Sequence, residues 1–160
     1  MLRNRRAAPG QALALVAAAL GLLIALVIGG IDLAAQRRAV RFSHHAAEHA
    51  ALVGLRAVRP ESLAAATPAL DAARAESAAR RALAARLEPL APWLAEPPAA
   101  AAARAEVRAA AEGEIACGQE ALGGPALCVR GDIRVRSVLG GARSYAFAAF
   151  QVYAPDLSRR

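Results

Sequence analysis

The chain has 160 residues and a net charge of +7, and it is 57% apolar but only 4% aromatic. Once an N-terminal apolar segment and its flanks are set aside, about 130 residues remain, room for one modest domain rather than two. All 20 basic residues are arginines, spread from Arg3 to Arg160 rather than gathered into a stripe with interleaved aromatics. That argues against a nucleic-acid groove and for solvated helix faces, with an anionic lipid surface a natural neighbour of Arg37, Arg38 and Arg41.

Leu13 to Ile31 is an unbroken apolar run between Arg3, Arg5 and Arg6 on one side and Asp32 on the other. As a helix it rises roughly 28 Å, enough to cross the hydrocarbon core of a bilayer. A cleaved export signal is the competing reading. Its apolar core is shorter, about 7–15 residues, and it ends in a small-x-small site, whereas the exit here reads Gly29-Gly30-Ile31-Asp32. A retained membrane helix is the better reading. Arginines on both flanks leave the positive-inside rule tied. Asp32, an acid at the end of an apolar run, is expected at the outer interface or paired with a basic group such as Arg37 or with a partner subunit.

Beyond Asp32 the helical pattern continues. Ala35, Ala39, Phe42, Ala46, Ala50 and Val53 recur at three- and four-residue steps, with Gln36, Arg37, Arg41, His44, His45 and Glu48 largely off that stripe. One helix from about Gln11 to Val58 is predicted, roughly 70 Å long, crossing the membrane and standing well out of it. Arg59-Pro60 breaks it. Thr67-Pro68 reads as a cap and first position of a second helix, at about 68–88, and Leu83, Leu87, Leu90 and Leu94 share a face. Pro97-Pro98 marks a further boundary, and 99–112 reads as a polyalanine helix ended by Gly113.

From Glu114 onward the composition turns to β-branched and aromatic residues. Strands are predicted at about 114–118, 129–139 and 143–153, the last two forming a hairpin around Gly140-Gly141. A two-residue turn there sets Val135 opposite Ala146, Ile133 opposite Ala148 and Val129 opposite Val152, on one face with Phe150. It sets Arg134 against Phe147 and Arg136 against Tyr145 on the other. A lone hairpin is marginal, so the sheet is expected to pack on the helical stripe after the membrane. Cys117 and Cys128 flank a Gly-Gly-Pro turn and are expected to form a disulfide that ties strand 114–118 to the hairpin. The alternative is two unrelated buried thiols. A disulfide requires an oxidising compartment, which tips the topology towards a cytoplasmic N-terminus and an exported C-terminal domain. The organisation predicted is a basic cytoplasmic tail (1–10), a transmembrane helix (11–32) and an extracytoplasmic α+β domain (33–160) in a pilin-like arrangement.

Gly10-Gln11-Ala12-Leu13-Ala14-Leu15, the apolar run, Ile31-Asp32-Leu33, the basic pair Arg37-Arg38 and the block Glu48-His49-Ala50-Ala51-Leu52-Val53-Gly54-Leu55 follow one another in an order that resembles the TadE/TadG-like pilus-assembly proteins. The likeness covers about residues 5–57. It implies a minor pseudopilin-like component of a tight-adherence pilus and secretion system in the bacterial cytoplasmic membrane. The implied partners are other pilus-assembly subunits, the inner-membrane assembly platform and the lipid bilayer. Processed members are cleaved after a Gly with a Glu five residues on. Gly10 and Gln11 occupy the processing position, but Leu15 stands where that Glu would be, so an unprocessed N-terminus is expected.

His45-Ala46-Ala47-Glu48-His49 fits the His-x-x-Glu-His zinc pattern. A zinc site needs a third ligand, and Glu112 or Glu120 would have to supply it, so the stretch reads as a polar helix face. Arg130-Gly131-Asp132 falls in a predicted strand and reads as chance. No nucleophile, phosphate loop or paired-cysteine motif is present. No catalytic residue, metal ligand, cofactor, small-molecule substrate or nucleic acid is expected. Gly21, Gly29 and Gly30 are expected to let membrane helices approach closely. The alternative function is a single-pass, membrane-anchored binding module, an envelope sensor or adhesin, unrelated to pili.

Overall fold

The computed structural model describes residues 9–59, 62, 69–111, 114–117, 120–123, 125–138 and 140–153. Helix α1 spans Pro9–Leu55 without a break. It is long and apolar enough to cross a membrane or to act as a signal sequence. Its first part is bare, with Leu13 74% and Ile31 56% exposed, whereas Ala39, Ala46, Ala47, Ala50 and Ala51 are buried. The loop back is pinned by a bridge between Val58 and Leu70 and by the Asp71 amide donating to the Ala57 carbonyl.

Helix α2 is Ala72–Leu87. Its cap is Asp71, whose carboxylate accepts from the Arg74 amide at 3.1 Å. The second helix therefore begins later than the 68 predicted, and Thr67 and Pro68 lie outside the described residues. A 3-10 turn at Glu88–Leu90 carries Pro89, and Leu83, Leu87, Leu90 and Leu94 are all buried, as their spacing indicated. Helix α3 is only Pro98–Arg104. Here the prediction of a helix over 99–112 fails, because Glu106–Ala110 is strand β1. Tertiary pairing with a long neighbouring strand overrides the high helix propensity of Glu, Arg and Ala, because propensity is a small term beside tertiary context.

Strands β2 (Glu114–Cys117) and β3 (Glu120–Gly123) pair antiparallel as a small sheet of their own. Strands β4 (Ala126–Arg136) and β5 (Ala142–Val152) form the long hairpin, and the main sheet has the order β1-β4-β5. Its third strand is thus β1, not the 114–118 segment. The Cys117–Cys128 disulfide is present, with Cα atoms 5.6 Å apart, and it clips the β2–β3 hairpin to the main sheet. The fold is α+β in a pilin-like arrangement: α1 lies over β4 and β5, α2 lies beside α1 and reaches β1, and the core fills the space between them.

The hairpin register differs from the one predicted. Val135 pairs with Arg143, Ile133 with Tyr145 and Val129 with Ala149. The turn is not two residues: the Ser137 amide donates to the Gly141 carbonyl and the Gly140 amide to the Ser137 carbonyl. Gly140 and Gly141 both take positive φ, +103° and +80°, which L side chains rarely adopt. The slip is three residues, an odd number, so it turns β5 over. Phe147 and Ala149 join Val129, Ile133 and Val135 in the core, while Phe150 is exposed. Arg134 lies opposite Ser144 and Arg136 opposite Ala142, so the expected arginine–aromatic pairs are not formed.

Candidate functional site

The apolar run ends where the folded domain begins, and one side chain joins the two. Asp32 is buried. Its carboxylate accepts from the Ser137 hydroxyl at 2.8 Å, the Val138 amide at 2.9 Å and the Gln36 amide nitrogen at 2.8 Å. Gln36, one helical turn on, is buried as well, and its carbonyl oxygen accepts from the Tyr145 hydroxyl. The β4–β5 hairpin is therefore fastened to α1 at two successive turns of the helix, its turn at Asp32 and strand β5 at Gln36. Arg37, named beforehand as a partner for Asp32, is exposed instead. Gln36, placed off the buried stripe by its polarity, is the member of this junction that the stripe did not reveal. The available signal was its i, i+4 spacing from Asp32.

Around this junction the surface is basic and grooved. A groove of about 580 Å³ is lined by Leu33, Arg37, Val40, Arg41 and Tyr145. A second, of about 390 Å³, runs beside α1 between Ile31, Arg38 and Phe42 on the helix and Leu90 and Trp93 opposite. Trp93 is held by its backbone: its carbonyl accepts from the Arg136 amide at 2.8 Å, and Leu94 bridges to Val135.

The other singled-out residues sit elsewhere. Building a side chain at Gly10, Gly21, Gly29 or Gly30 meets nothing within 4 Å, so no contact within this chain uses them. The glycine that does allow close helix approach is Gly54, where a Cβ would lie 2.5 Å from Leu127 Cδ1 and 3.0 Å from the Ala75 carbonyl. His45 Nδ1 is 3.0 Å from Glu48 and exposed, and His49 Nδ1 is buried without a hydrogen-bond partner. Among the described residues no three His, Cys, Asp or Glu side chains converge as a metal would need. Glu112 and the Glu120 side chain lie outside the described residues.

Arg130-Gly131-Asp132 is absorbed into the sheet. Arg130 pairs with Glu106, and Asp132 accepts from Ser144 at 2.7 Å and from Arg104. A side chain at Gly131 would press on Phe147 and Ala105. The Arg130 hydrogen bond, aided by the Arg108 charge, pulls the Glu106 carboxyl below the usual glutamate value against a smaller opposing effect of burial. The Glu96 hydrogen bond and the charge of Asp132 raise the Arg104 guanidinium further.

In comparisons with known proteins, no family model, no curated protein and no solved structure matches the chain. The class rests on the fold alone: a long apolar N-terminal helix joined to a small α/β domain, consistent with an anchored pilin-like protein.

Proposed function

We propose that the chain is a minor pseudopilin-like component of a tight-adherence pilus assembly system, anchored in the cytoplasmic membrane and acting by protein–protein contact. One observation carries the reading: a single unbroken helix has large aliphatic side chains exposed along its first part and small ones buried in an α+β domain along its second. The order of Gly10-Gln11-Ala12, the apolar run and Ile31-Asp32 adds the family resemblance. The disulfide supports placing the domain on an oxidising side, with the N-terminus cytoplasmic. Leu15 in place of an acid supports a chain that is not processed at Gly10.

Deletion of the gene is expected to abolish surface fibres while the remaining subunits stay expressed; normal fibres in the deletion strain would count against the proposal. Thiol labelling of Asn4→Cys and Ser158→Cys in intact cells is expected to modify only the second. N-terminal peptide analysis is expected to find peptides that run through Gly10-Gln11, and a chain that starts at Gln11 would refute the unprocessed form.

A further inference from the structure

We propose that the base of the folded domain is itself a bilayer-docking surface, with Trp93 and Val138 entering the interface and the surrounding arginines holding anionic phospholipid headgroups. The inference rests on the reading of α1 as a membrane span and adds a second, separable contact. Val138 is bonded through its amide to Asp32, one residue beyond the last apolar position of the run. Trp93 lines the groove that runs along α1 from Ile31 to Phe42. Both are apolar, and both are left out of the core, Val138 60% and Trp93 45% exposed. The Trp93–Arg136 backbone bond ties them to the same end of β4.

Tryptophan favours the membrane–water interface, and the charges match. Arg37, Arg38, Arg41, Arg136 and Arg143 are exposed around the junction, whereas Asp32, the acid there, is turned inward onto Ser137 and Val138. Ile31 to Arg38 spans roughly 10 Å of helix, comparable with a headgroup layer of roughly 5–8 Å. A lipid chain beside Ile31 in the groove therefore brings its phosphate towards Arg38. The domain is held against the membrane by its base, not displayed on a free stalk.

Trp93 is the single tryptophan of the chain, so its fluorescence reports this surface alone. The test uses the full chain, one copy per nanodisc, in phosphatidylcholine with or without one-third phosphatidylglycerol. A spin label near the headgroup end of the acyl chain is expected to quench Trp93, more strongly with phosphatidylglycerol, and iodide in the buffer to quench it little. Arg38→Gln and Arg143→Gln are each expected to lower the docked-to-undocked ratio about fivefold, as for one basic residue lost from an anionic surface. Val138→Asp is expected to lower it in both lipids. Trp93 open to iodide in discs that contain the chain would overturn the proposal, as would quenching indifferent to phosphatidylglycerol and to both arginine variants. Protection that arises only with two copies per disc would assign the surface to a second copy instead. A chain that fails to enter discs defeats the anchored reading too, so the two failures are distinguishable.

Discussion

The two parts of α1 are both rich in alanine, yet they bury side chains by opposite rules. Between Leu13 and Ile31 most of the large side chains, among them Leu15, Leu22, Leu23 and Leu26, are exposed. Between Ala39 and Gly54 the buried positions are Ala39, Ser43, Ala46, Ala47, Ala50, Ala51 and Gly54. On the proposed membrane reading the neighbours of the first part are lipid tails, which are as apolar as leucine, so bulk costs nothing there. Where α2 and the sheet are the neighbours, bulk would hold the elements apart. Helix contacts close enough for Gly54 to sit against the Ala75 carbonyl need small residues. Hydropathy marks the first part, through its unbroken apolar run, but side-chain size is what marks the buried face of the second.

Size substitutions at glycine test this contrast most severely. Gly54→Val is expected to destabilise the domain by roughly 3 kcal/mol or more, at or above the usual cost of overpacking. The same change at Gly21, where nothing lies within 4 Å, is expected to leave the melting temperature of the domain unchanged. Equal effects at the two sites in thermal melts of the detergent-solubilised chain would erase the distinction.

Next in size is the disulfide. Cys117 and Cys128 are 11 residues apart, and replacing both by Ala is expected to cost about 3 kcal/mol by chain entropy. Hydrogen exchange is expected to rise first in β2 and β3, with α1 unaffected at its exposed end.

Asp32→Ala cuts the link between the two parts. It leaves the Val138 amide and the Ser137 hydroxyl without this acceptor, at a cost of about 2 kcal/mol. Fast exchange of the Val138 amide is the readout, and an unchanged rate would show that the junction does not depend on this acid.

The smallest effect is expected from Glu106. Its folded-state carboxyl lies below its ordinary 4.5, so its contribution is complete above that value and is lost as pH falls through the lowered one. Glu106→Gln should flatten the acid limb of a stability–pH curve slightly; a curve identical to that of the parent chain would remove Glu106 from the account.

What could be read from the sequence follows from how strongly each segment is marked. The continuous α1 was legible because no proline intervenes between Pro9 and Pro60 and the apolar stripe keeps its period. The leucines of α2 and the turn after it were legible for the same reason. β1 was not, because Glu-Val-Arg-Ala-Ala carries one β-branched residue in an alanine-rich setting. The hairpin was legible but its register was not. In β5 the stretch Ala146-Phe147-Ala148-Ala149-Phe150 has nearly the same polarity on both faces, so alternation could not choose between them. Asp32 stood out as an acid at an apolar boundary, but beyond Gln36 its partners lie 105 and 106 residues away and nothing local points to them.

That separation also sets a timetable for biogenesis. Asp32 is made early and its acceptor atoms are filled late, when Ser137 and Val138 emerge. At roughly 5–20 residues per second, the interval is about 5–20 s. Throughout it the helix is complete across its apolar length while the carboxylate at its end has only Gln36 from its own helix. During that interval the acid at the end of the apolar run stays open, until the last hairpin closes over it.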